Sequence, residues 1–246
     1  MTADDTDNGW DASAAAWVAH LGDTGDRGRE HVLDAPMLAA ARASGARIAL
    51  DVGCGEGRFC RMLRAEGIEA TGLDPTAALL DIARARDPQG AYLQGIAEAL
   101  PFADAQFDLV VAYLSLIDIA DYRTAIAQMA RVLTPGGTLL VGNLNPFATA
   151  VPRDWPEGKG GWVWQEGRRR YYAFDDYMTE RGYKTAWAGI RITNYHRPLS
   201  AYMAAFLGAG LRLRAYDEPP YTGPDPGDAD KFARAPWFNL MVWERR

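Results

Sequence analysis

A buried strand that runs directly into a glycine-rich turn is the feature that most constrains the fold of this chain. Residues 48–58 read Ile-Ala-Leu-Asp-Val-Gly-Cys-Gly-Glu-Gly-Arg, so a short apolar run is followed by three closely spaced glycines. Asp74 ends the next apolar run, about twenty residues further on. A glycine turn followed at this distance by a carboxylate is typical of a doubly wound sheet that binds a nucleoside. The sequence therefore predicts an α/β fold.

Apolar strands and amphipathic helices alternate through the middle of the chain. Five predicted parallel strands occupy residues 48–52, 68–73, 91–94, 107–116 and 138–144, and two more follow at 211–215 and 237–243. The fourth run is almost continuously apolar, as in a central strand that is covered on both faces. The pattern predicts a doubly wound, mostly parallel seven-stranded sheet with an antiparallel pair at one edge.

Two segments fall outside this alternation. Residues 1–46 precede the first strand and predict an N-terminal helical cap, with one helix from Arg29 to Ala43. Residues 146–197 interrupt the chain after the fifth strand and are rich in tryptophan and tyrosine. They predict an inserted lid or substrate subdomain. The α/β domain is then formed by residues 47–145 and 198–246.

The aromatic insertion has two possible roles. Residues 171–175 and 184–194 are predicted to pair as a hairpin inside it. Its rings either form a dry wall over a ligand pocket, where they stabilise a bound cation, or serve as a small core or dimer contact. The two roles are compatible.

Composition and charge narrow the class of partner. The formal net charge is −6, whereas proteins whose main partner is nucleic acid are more often basic. The cluster Arg168 to Arg170 runs against that balance, but three neighbouring arginines usually form a solvated face. No apolar run reaches the length of about 18 residues that indicates a membrane span.

The termini and cysteines bear on the compartment. The first ten residues are acidic rather than basic, which does not match a secretory signal peptide. The two cysteines, Cys54 and Cys60, have neither zinc spacing nor a redox CxxC pattern. We therefore expect reduced thiols, a cytoplasmic protein and no bound metal.

The glycine spacing indicates which nucleoside is bound. Gly53, Gly55 and Gly57 form GxGxG, whereas dinucleotide enzymes use GxGxxG. Asp51, at the end of the strand, would repel a pyrophosphate but suits a cationic group. This combination favours S-adenosylmethionine (SAM) over NAD. Asp74 is expected to accept hydrogen bonds from both ribose hydroxyls, and the alternative is that it caps the next helix.

Five short motifs strengthen this interpretation. They are Leu50-Asp-Val-Gly-Cys-Gly-Glu-Gly57, Gly72-Leu-Asp-Pro75, Ala97-Glu-Ala-Leu-Pro-Phe102, Phe107-Asp-Leu-Val110 and Arg131-Val-Leu-Thr-Pro-Gly-Gly137. In this order and at these distances the chain resembles the class I SAM-dependent methyltransferases. It is similar to the small-molecule branch that includes quinone-biosynthesis C-methyltransferases. The resemblance covers residues 48–144 and implies a Rossmann-like fold.

The resemblance also implies a role for each matching residue. Asp51, Gly53 and Gly55 would hold the methionine end, Arg58 its carboxylate, Asp74 with Pro75 the ribose, Ala97 and Glu98 the adenine, and Tyr113 and Leu114 the methionyl chain. One position departs from the family, because Ile96 stands where an aspartate usually accepts from the adenine amino group. Adenine is then held by backbone groups, apolar contacts or another polar residue.

The sequence gives fewer indications of the residues that contact the methyl acceptor. His196 lies at the end of the insertion, where an imidazole could serve as the general base; the alternative is that it orders the loop. Trp17, His31, Asp118 and Tyr195 are further candidates for substrate contact. For Asp118 the alternative role is to cap the following helix.

The sequence therefore predicts in-line methyl transfer from SAM to an oxygen, nitrogen or carbon atom of a small-molecule acceptor, with S-adenosylhomocysteine as product. A bulky lid and an acidic balance argue against the alternative of a tRNA or rRNA methyltransferase. A non-catalytic SAM-binding partner protein and an NAD dehydrogenase are further alternatives. The expected oligomeric state is a monomer or homodimer.

Overall fold

Helices and strands alternate along the chain, and the computed structural model describes residues 8–22, 24–151 and 160–246. The α-helices are α1 (Trp10–Leu21), α2 (Asp34–Ala43), α3 (Arg58–Ala65), α4 (Ala77–Arg86), α5 (Tyr122–Val132), α6 (Pro146–Thr149), α7 (Leu199–Gly208) and α8 (Pro226–Arg234). The strands are β1 (Ile48–Val52), β2 (Glu69–Asp74), β3 (Ala91–Gln94), β4 (Phe107–Tyr113), β5 (Leu133–Leu144), β6 (Gly161–Gln165), β7 (Arg168–Ala173), β8 (Arg181–Trp187), β9 (Ile190–His196), β10 (Leu211–Asp217) and β11 (Phe238–Arg245).

Seven of the strands form one sheet, in the order β10-β11-β5-β4-β1-β2-β3. The pairs among β1 to β5 are parallel, while β11 runs antiparallel to both β5 and β10. The predicted doubly wound, mostly parallel seven-stranded sheet is therefore confirmed. Within the described ranges, no helix combines the length and apolarity that crossing a membrane requires.

The core consists of two apolar layers, one on each face of the sheet. On one face α5 and α7 pack through Ile126, Met129 and Phe206. On the other face α2, α3 and α4 pack through residues that include Met37 and Leu63. All of these side chains are fully buried. Because β4 is covered on both faces, its sequence is an unbroken apolar run rather than an alternating one.

The N-terminal region differs in detail from the predicted single helix over residues 29–43. Its first turn, Arg29–Leu33, is π-helical and continues directly into α2. Helix α1 packs on β9, and the Ser13 hydroxyl donates to the Arg191 carbonyl and accepts from the Arg191 amide. The cap is thus joined to the inserted segment. The division of the chain into a separate cap, lid and α/β domain stays a prediction.

The predicted hairpin between residues 171–175 and 184–194 is wrong. The insertion holds two separate hairpins, in which β6 pairs with β7 and β8 pairs with β9. Each closes through a two-residue turn, Glu166-Gly167 or Ala188-Gly189, and all four of these residues have positive φ between 46° and 83°. Such turns match the twist of adjacent strands, so each strand pairs with its nearest neighbour in sequence.

The chain after β10 contains a helix that the sequence analysis did not predict. Helix α8 begins at Pro226, and the Asp225 carboxylate caps it by accepting from the Asp228 amide at 2.8 Å. An aspartate cap followed by proline at the first helical position is a recognised start signal. The sequence analysis assigned no structure to the residues between the strands predicted at 211–215 and 237–243, which is where this helix lies.

Strand β11, which lies between β10 and β5, offers a direct test of the core. Trp243 is fully buried, its ring stacks on Phe206 with centroids 4.7 Å apart, and its indole N–H has no partner among the described residues. We expect Trp243→Ala to lower the free energy of unfolding by about 3–5 kcal/mol. Trp243→Phe should cost only about 1–2 kcal/mol, because it keeps a ring and removes a buried unpaired donor. Urea unfolding of both variants measures this difference, and equal losses would contradict it.

Candidate active site

A cavity of about 1250 Å³ opens at the carboxyl ends of the parallel strands. Its walls come from the ends of β1, β2, β4 and β5, from α1 and the following turn, and from both hairpins of the insertion. In doubly wound folds this edge of the sheet is where ligands bind, because loops diverge there. The residues predicted from the sequence at the ends of β1, β2 and β4 therefore line one cavity.

The glycine turn after β1 forms one end of the cavity. Gly53 and Gly55 adopt positive φ values of 77° and 55°, and the Gly53 amide donates to the Leu73 carbonyl at 2.7 Å. A β-carbon on Gly53 would come within 2.4 Å of the Ser115 β-carbon, whereas one on Gly55 would meet nothing closer than 4.0 Å. Gly53 is therefore required for packing, and Gly55 leaves open space for a ligand against the backbone.

Asp74 links the glycine turn to the start of α4. One carboxylate oxygen accepts from the Gly55 amide at 2.8 Å, and the other accepts from the Thr76 amide at 2.9 Å. The side chain is buried and lines the cavity. Each carboxylate oxygen has a second lone pair, so Asp74 can order the turn before α4 and still accept hydrogen bonds from a ligand.

Asp51 lies beneath the same turn with one oxygen unsatisfied. Its Oδ1 atom is buried without a partner among the described residues, while Oδ2 lies 3.5 Å from the Cys60 sulfur. Burial raises the pKa of Asp51 to about 7. A buried acceptor of this kind fits an ammonium group, which would supply both the missing hydrogen bond and the missing charge. The cavity end thus fits the amino group of SAM.

Arg58 joins the cap to the sheet. Its guanidinium forms an ion pair with Asp34 and also donates to the Thr24 carbonyl. The Tyr113 hydroxyl donates to the same Asp34 carboxylate at 2.8 Å, and burial raises the pKa of Tyr113. Both Arg58 and Tyr113 line the cavity, but their polar groups already have protein partners. A contact from Arg58 to the cofactor carboxylate stays a prediction.

Asp118 lies in the loop after β4 and also lines the cavity. Its carboxylate accepts from the Asn194 amide of β9, and burial raises its pKa to about 8. The predicted alternative, a helix cap, is wrong, because α5 is capped by Asp121, which accepts from the Thr124 amide. Asp118 is therefore left facing the cavity.

Arg197 holds the loop that carries Asp118. Its guanidinium donates to the carbonyls of Leu116, Ile119 and Ala120, and it lies 4.2 Å from the Tyr122 ring centroid. The side chain is almost completely buried. Sequence reasoning missed this residue. The sequence offered no signal for it, because its hydrogen-bond acceptors are backbone carbonyls.

The second hairpin presents one face to the cavity. Tyr183 and Asn194 are opposite each other in the β8–β9 register, and both line the cavity. Tyr195, which was predicted to contact substrate, lies on the other face and packs against the guanidinium of Arg197. The prediction missed by one residue because successive side chains of a strand point to opposite faces.

Four rings from three segments form what we call the aromatic wall: Phe147, Trp162, Tyr172 and Trp237. The Tyr172 and Trp237 centroids lie 5.0 Å apart, and Trp162 stacks on Trp237 at 6.2 Å. The rings pack on one another, and three of the four, all but Phe147, also line the cavity. The aromatic wall is thus both a small core and a cavity surface.

Comparisons with known proteins agree with this geometry. Residues 50–141 match the family model described as a methyltransferase domain. The crystal structure of an S-adenosylmethionine-dependent methyltransferase from Mesorhizobium loti is 26% identical, with a TM-score of 0.73, and the match covers 91% of this chain and 100% of that chain. Residues 50–141 of this chain are thus a methyltransferase domain, and the fold is that of a SAM-dependent methyltransferase. Within the described part of the chain, no group of three or more His, Cys, Asp or Glu side chains is placed to hold a metal ion.

Two curated methyltransferases match about half of this chain. The malonyl-[acyl-carrier protein] O-methyltransferase of Serratia marcescens is 36% identical over 125 residues, which are 51% of this chain and 47% of that protein. The demethylmenaquinone methyltransferase of Deinococcus radiodurans is 38% identical over 119 residues, 46% of this chain and 49% of that protein. The chain thus spans about half the length of the curated relatives it matches.

Not every residue predicted from the family resemblance reaches the cavity. The cavity is lined by Asp51, Gly53, Gly55, Arg58, Asp74, Pro75, Tyr113, Leu114, Trp17 and Asp118. Ala97 and Glu98 lie in the turn after β3 and are not part of its lining. His31 borders a separate small pocket, where its ring contacts Tyr221. Sequence reasoning missed Trp10, Arg29, Thr76, Ser115, Tyr183 and Asn194, which do line the cavity.

His196 is not placed as a general base would be. The ring is fully buried and outside the cavity lining, its Nε2 donates to the Tyr177 carbonyl at 2.7 Å, and its Nδ1 lies 2.9 Å from the Thr149 hydroxyl. Burial lowers its pKa, so the ring is neutral and Nδ1 accepts. This geometry favours the alternative of a histidine that orders the insertion.

We therefore expect His196→Ala to act on stability. Loss of two buried hydrogen bonds should lower the free energy of unfolding by about 2–3 kcal/mol, while SAM affinity stays within twofold of wild type. Thermal unfolding and calorimetry measure the two quantities, with His31→Ala as the control. Normal stability combined with lost turnover would return His196 to the catalytic interpretation.

Proposed function

We propose that this chain transfers the methyl group of SAM to a small-molecule acceptor inside the cavity. One observation carries the proposal. The glycine turn, the unpaired Asp51 oxygen and the Asp74 carboxylate meet at one end of the cavity, and most of the cavity volume lies beyond that end. The remaining volume lies between the cap and the two hairpins, which is where an acceptor would bind.

The residues present fit SAM as a set. Asp51 would bind its ammonium group, the backbone at Gly53 and Gly55 would accommodate the amino-acid chain, and Asp74 with Pro75 would bind the ribose. Leu114 and Tyr113 would border the methionyl chain, and Ala97 with Glu98 would flank the adenine beyond the cavity lining. When bound, SAM supplies an electrophilic methyl group on a positively charged sulfur.

The chain's own contribution is positioning and exclusion of water. Asn8 and Ser13 of the cap hydrogen-bond to Thr193 and Arg191 of β9, so the cap and the second hairpin close over the cavity together. Trp17 and the aromatic wall add apolar surface. In-line displacement gains most from a fixed nucleophile in a dry pocket, which is what this enclosure provides.

The enclosure supports a small acceptor over a folded macromolecule. The net charge of −6 also argues against nucleic acid as the partner. Neither of the two relatives is named for a nucleic acid, since one name gives a malonyl group on a carrier protein and the other gives demethylmenaquinone. A salt-dependent shift of tRNA on a gel would instead support an RNA acceptor. Two buried, unpaired thiols are compatible with a reducing, cytoplasmic setting. We keep a monomer or homodimer as the expected state.

The cofactor assignment is tested by Asp74→Asn. Loss of a charge-assisted acceptor for the ribose hydroxyls should weaken SAM binding at least about tenfold, as measured by calorimetry. Asp81→Asn is the control, because Asp81 is exposed on α4 and lies outside the cavity lining. Unchanged affinity in Asp74→Asn would remove Asp74 from the site. Wild-type protein that binds NADH but not SAM would overturn the proposed function itself.

A further inference from the structure

We propose that Asp118 is the general base of this site and that the acceptor is a hydroxylated aromatic compound lying against the aromatic wall. This inference rests on the proposed function, since it names the proton acceptor and the substrate class of the same cavity. Asp118 lines the cavity, and its carboxyl group is not used to cap α5, which Asp121 caps.

The position of Asp118 is the first argument. Ser115, one turn earlier, contacts Gly53 and donates to the Val52 carbonyl at 2.7 Å, so this loop borders the methionine end of the cofactor site. Asp118 is also close enough to Asp74 to feel its charge. The carboxyl group thus lies between the cofactor end and the rest of the cavity, which is where the nucleophilic atom of an acceptor must be.

The rigidity of Asp118 is the second argument. Asn194 donates to its carboxylate, and Arg197 holds the carbonyls on both sides of it in the loop. Asn194 lies near the end of β9, and Arg197 directly follows that strand. We regard Asn194 and Arg197 as positioning residues, because they fix the carboxyl group without facing the acceptor's reacting atom themselves. Because its position is fixed in this way, the Asp118 carboxylate can accept a proton only from a group placed on its cavity side.

The surroundings select the acceptor. Tyr183 lies opposite Asn194, and it lines the same cavity as Asp118 and Tyr172 of the aromatic wall. The flat rings of that wall suit a planar aromatic ligand. A carboxylate acceptor would place a second anion beside Asp118 and needs no base. A hydroxyl acceptor is neutral and gains from losing its proton as it attacks.

The step balances in atoms and charge. The Asp118 carboxylate removes the hydroxyl proton as the oxygen forms a bond to the methyl carbon. The carbon–sulfur bond breaks, and its electron pair stays on sulfur, which becomes neutral. The products are an aryl methyl ether, S-adenosylhomocysteine and protonated Asp118, which releases its proton to solvent after the products leave.

The charges around Asp118 set its pH response. Burial raises its pKa to about 8, while Asn194, Arg29 and Trp10 lower it and Asp74 raises it. Tyr183, the other titratable neighbour, stays neutral because burial raises its own pKa. The rate should therefore rise with pH until Asp118 is ionised and then level off, and a bound cation beside it would move that rise to lower pH.

Three naphthalenes with different head groups test the substrate class. They are 2-naphthol, 2-naphthylamine and 2-naphthoate, used with wild-type protein and tritiated SAM. We expect transfer of label to 2-naphthol only, with binding followed by quenching of the cavity tryptophans in the presence of S-adenosylhomocysteine. Preference for the amine or the carboxylate would overturn the inference. So would SAM binding without any binding or methylation of 2-naphthol, and in that case the proposed function would still stand.

Asp118→Asn tests the residue. It should lower kcat for 2-naphthol by about 10²- to 10⁴-fold and abolish the rise in rate with pH, with SAM affinity unchanged. Asn194→Asp should shift the same rise to higher pH, which a purely structural role would not do. Asp81→Asn is the matched control. An Asp118→Asn variant with the kcat and pH profile of the wild type would overturn the assignment of Asp118. A wild-type protein that does not bind SAM would count against the proposed function instead.

Discussion

The two hydrogen bonds that Asp74 accepts from Gly55 and Thr76 fix the geometry on which the cavity depends. They tie the turn after β1 to the start of α4, across the boundary between two neighbouring βα units. Because Gly53 is tightly packed and Gly55 is open, the turn can take only one course and leaves its ligand space on one side. The carboxylate therefore shapes the site before any ligand enters. Its second pair of acceptor positions then faces the same space.

Strand β9 organises the other half of the cavity. Within it Arg191 binds the cap helix, Asn194 binds Asp118, and His196 orders the chain near Thr149. Arg197, the residue directly after the strand, holds the loop after β4. The cap, the insertion and the sheet therefore meet on one strand.

The sequence predicted what depends on local pattern and missed what depends on register. The sheet, the glycine turn and the positions of Asp51 and Asp74 follow from apolar runs, glycine spacing and strand order, all of which are local in sequence. The two-residue turns Glu166-Gly167 and Ala188-Gly189 of the insertion were overlooked, so its pairing was misassigned. Tyr195 was separately expected to contact substrate, but it is Asn194, on the opposite face of the strand, that lines the cavity. Arg197 could not be predicted either, since its partners are backbone carbonyls that carry no sequence information.

The buried carboxyl groups explain why the site is suited to a cationic ligand. Burial raises the pKa of Asp51 to about 7 and that of Asp118 to about 8, and it also raises the pKa of Asp74. Between the ordinary value of 3.8 and these raised values, the folded chain holds protons that the unfolded chain has released. The free energy of unfolding therefore falls as pH rises through this window. A cation bound at this end favours the ionised carboxylates and reverses that loss. A bound cation and the ionised carboxylates would therefore stabilise each other, whereas a pyrophosphate would add negative charge to the same buried end.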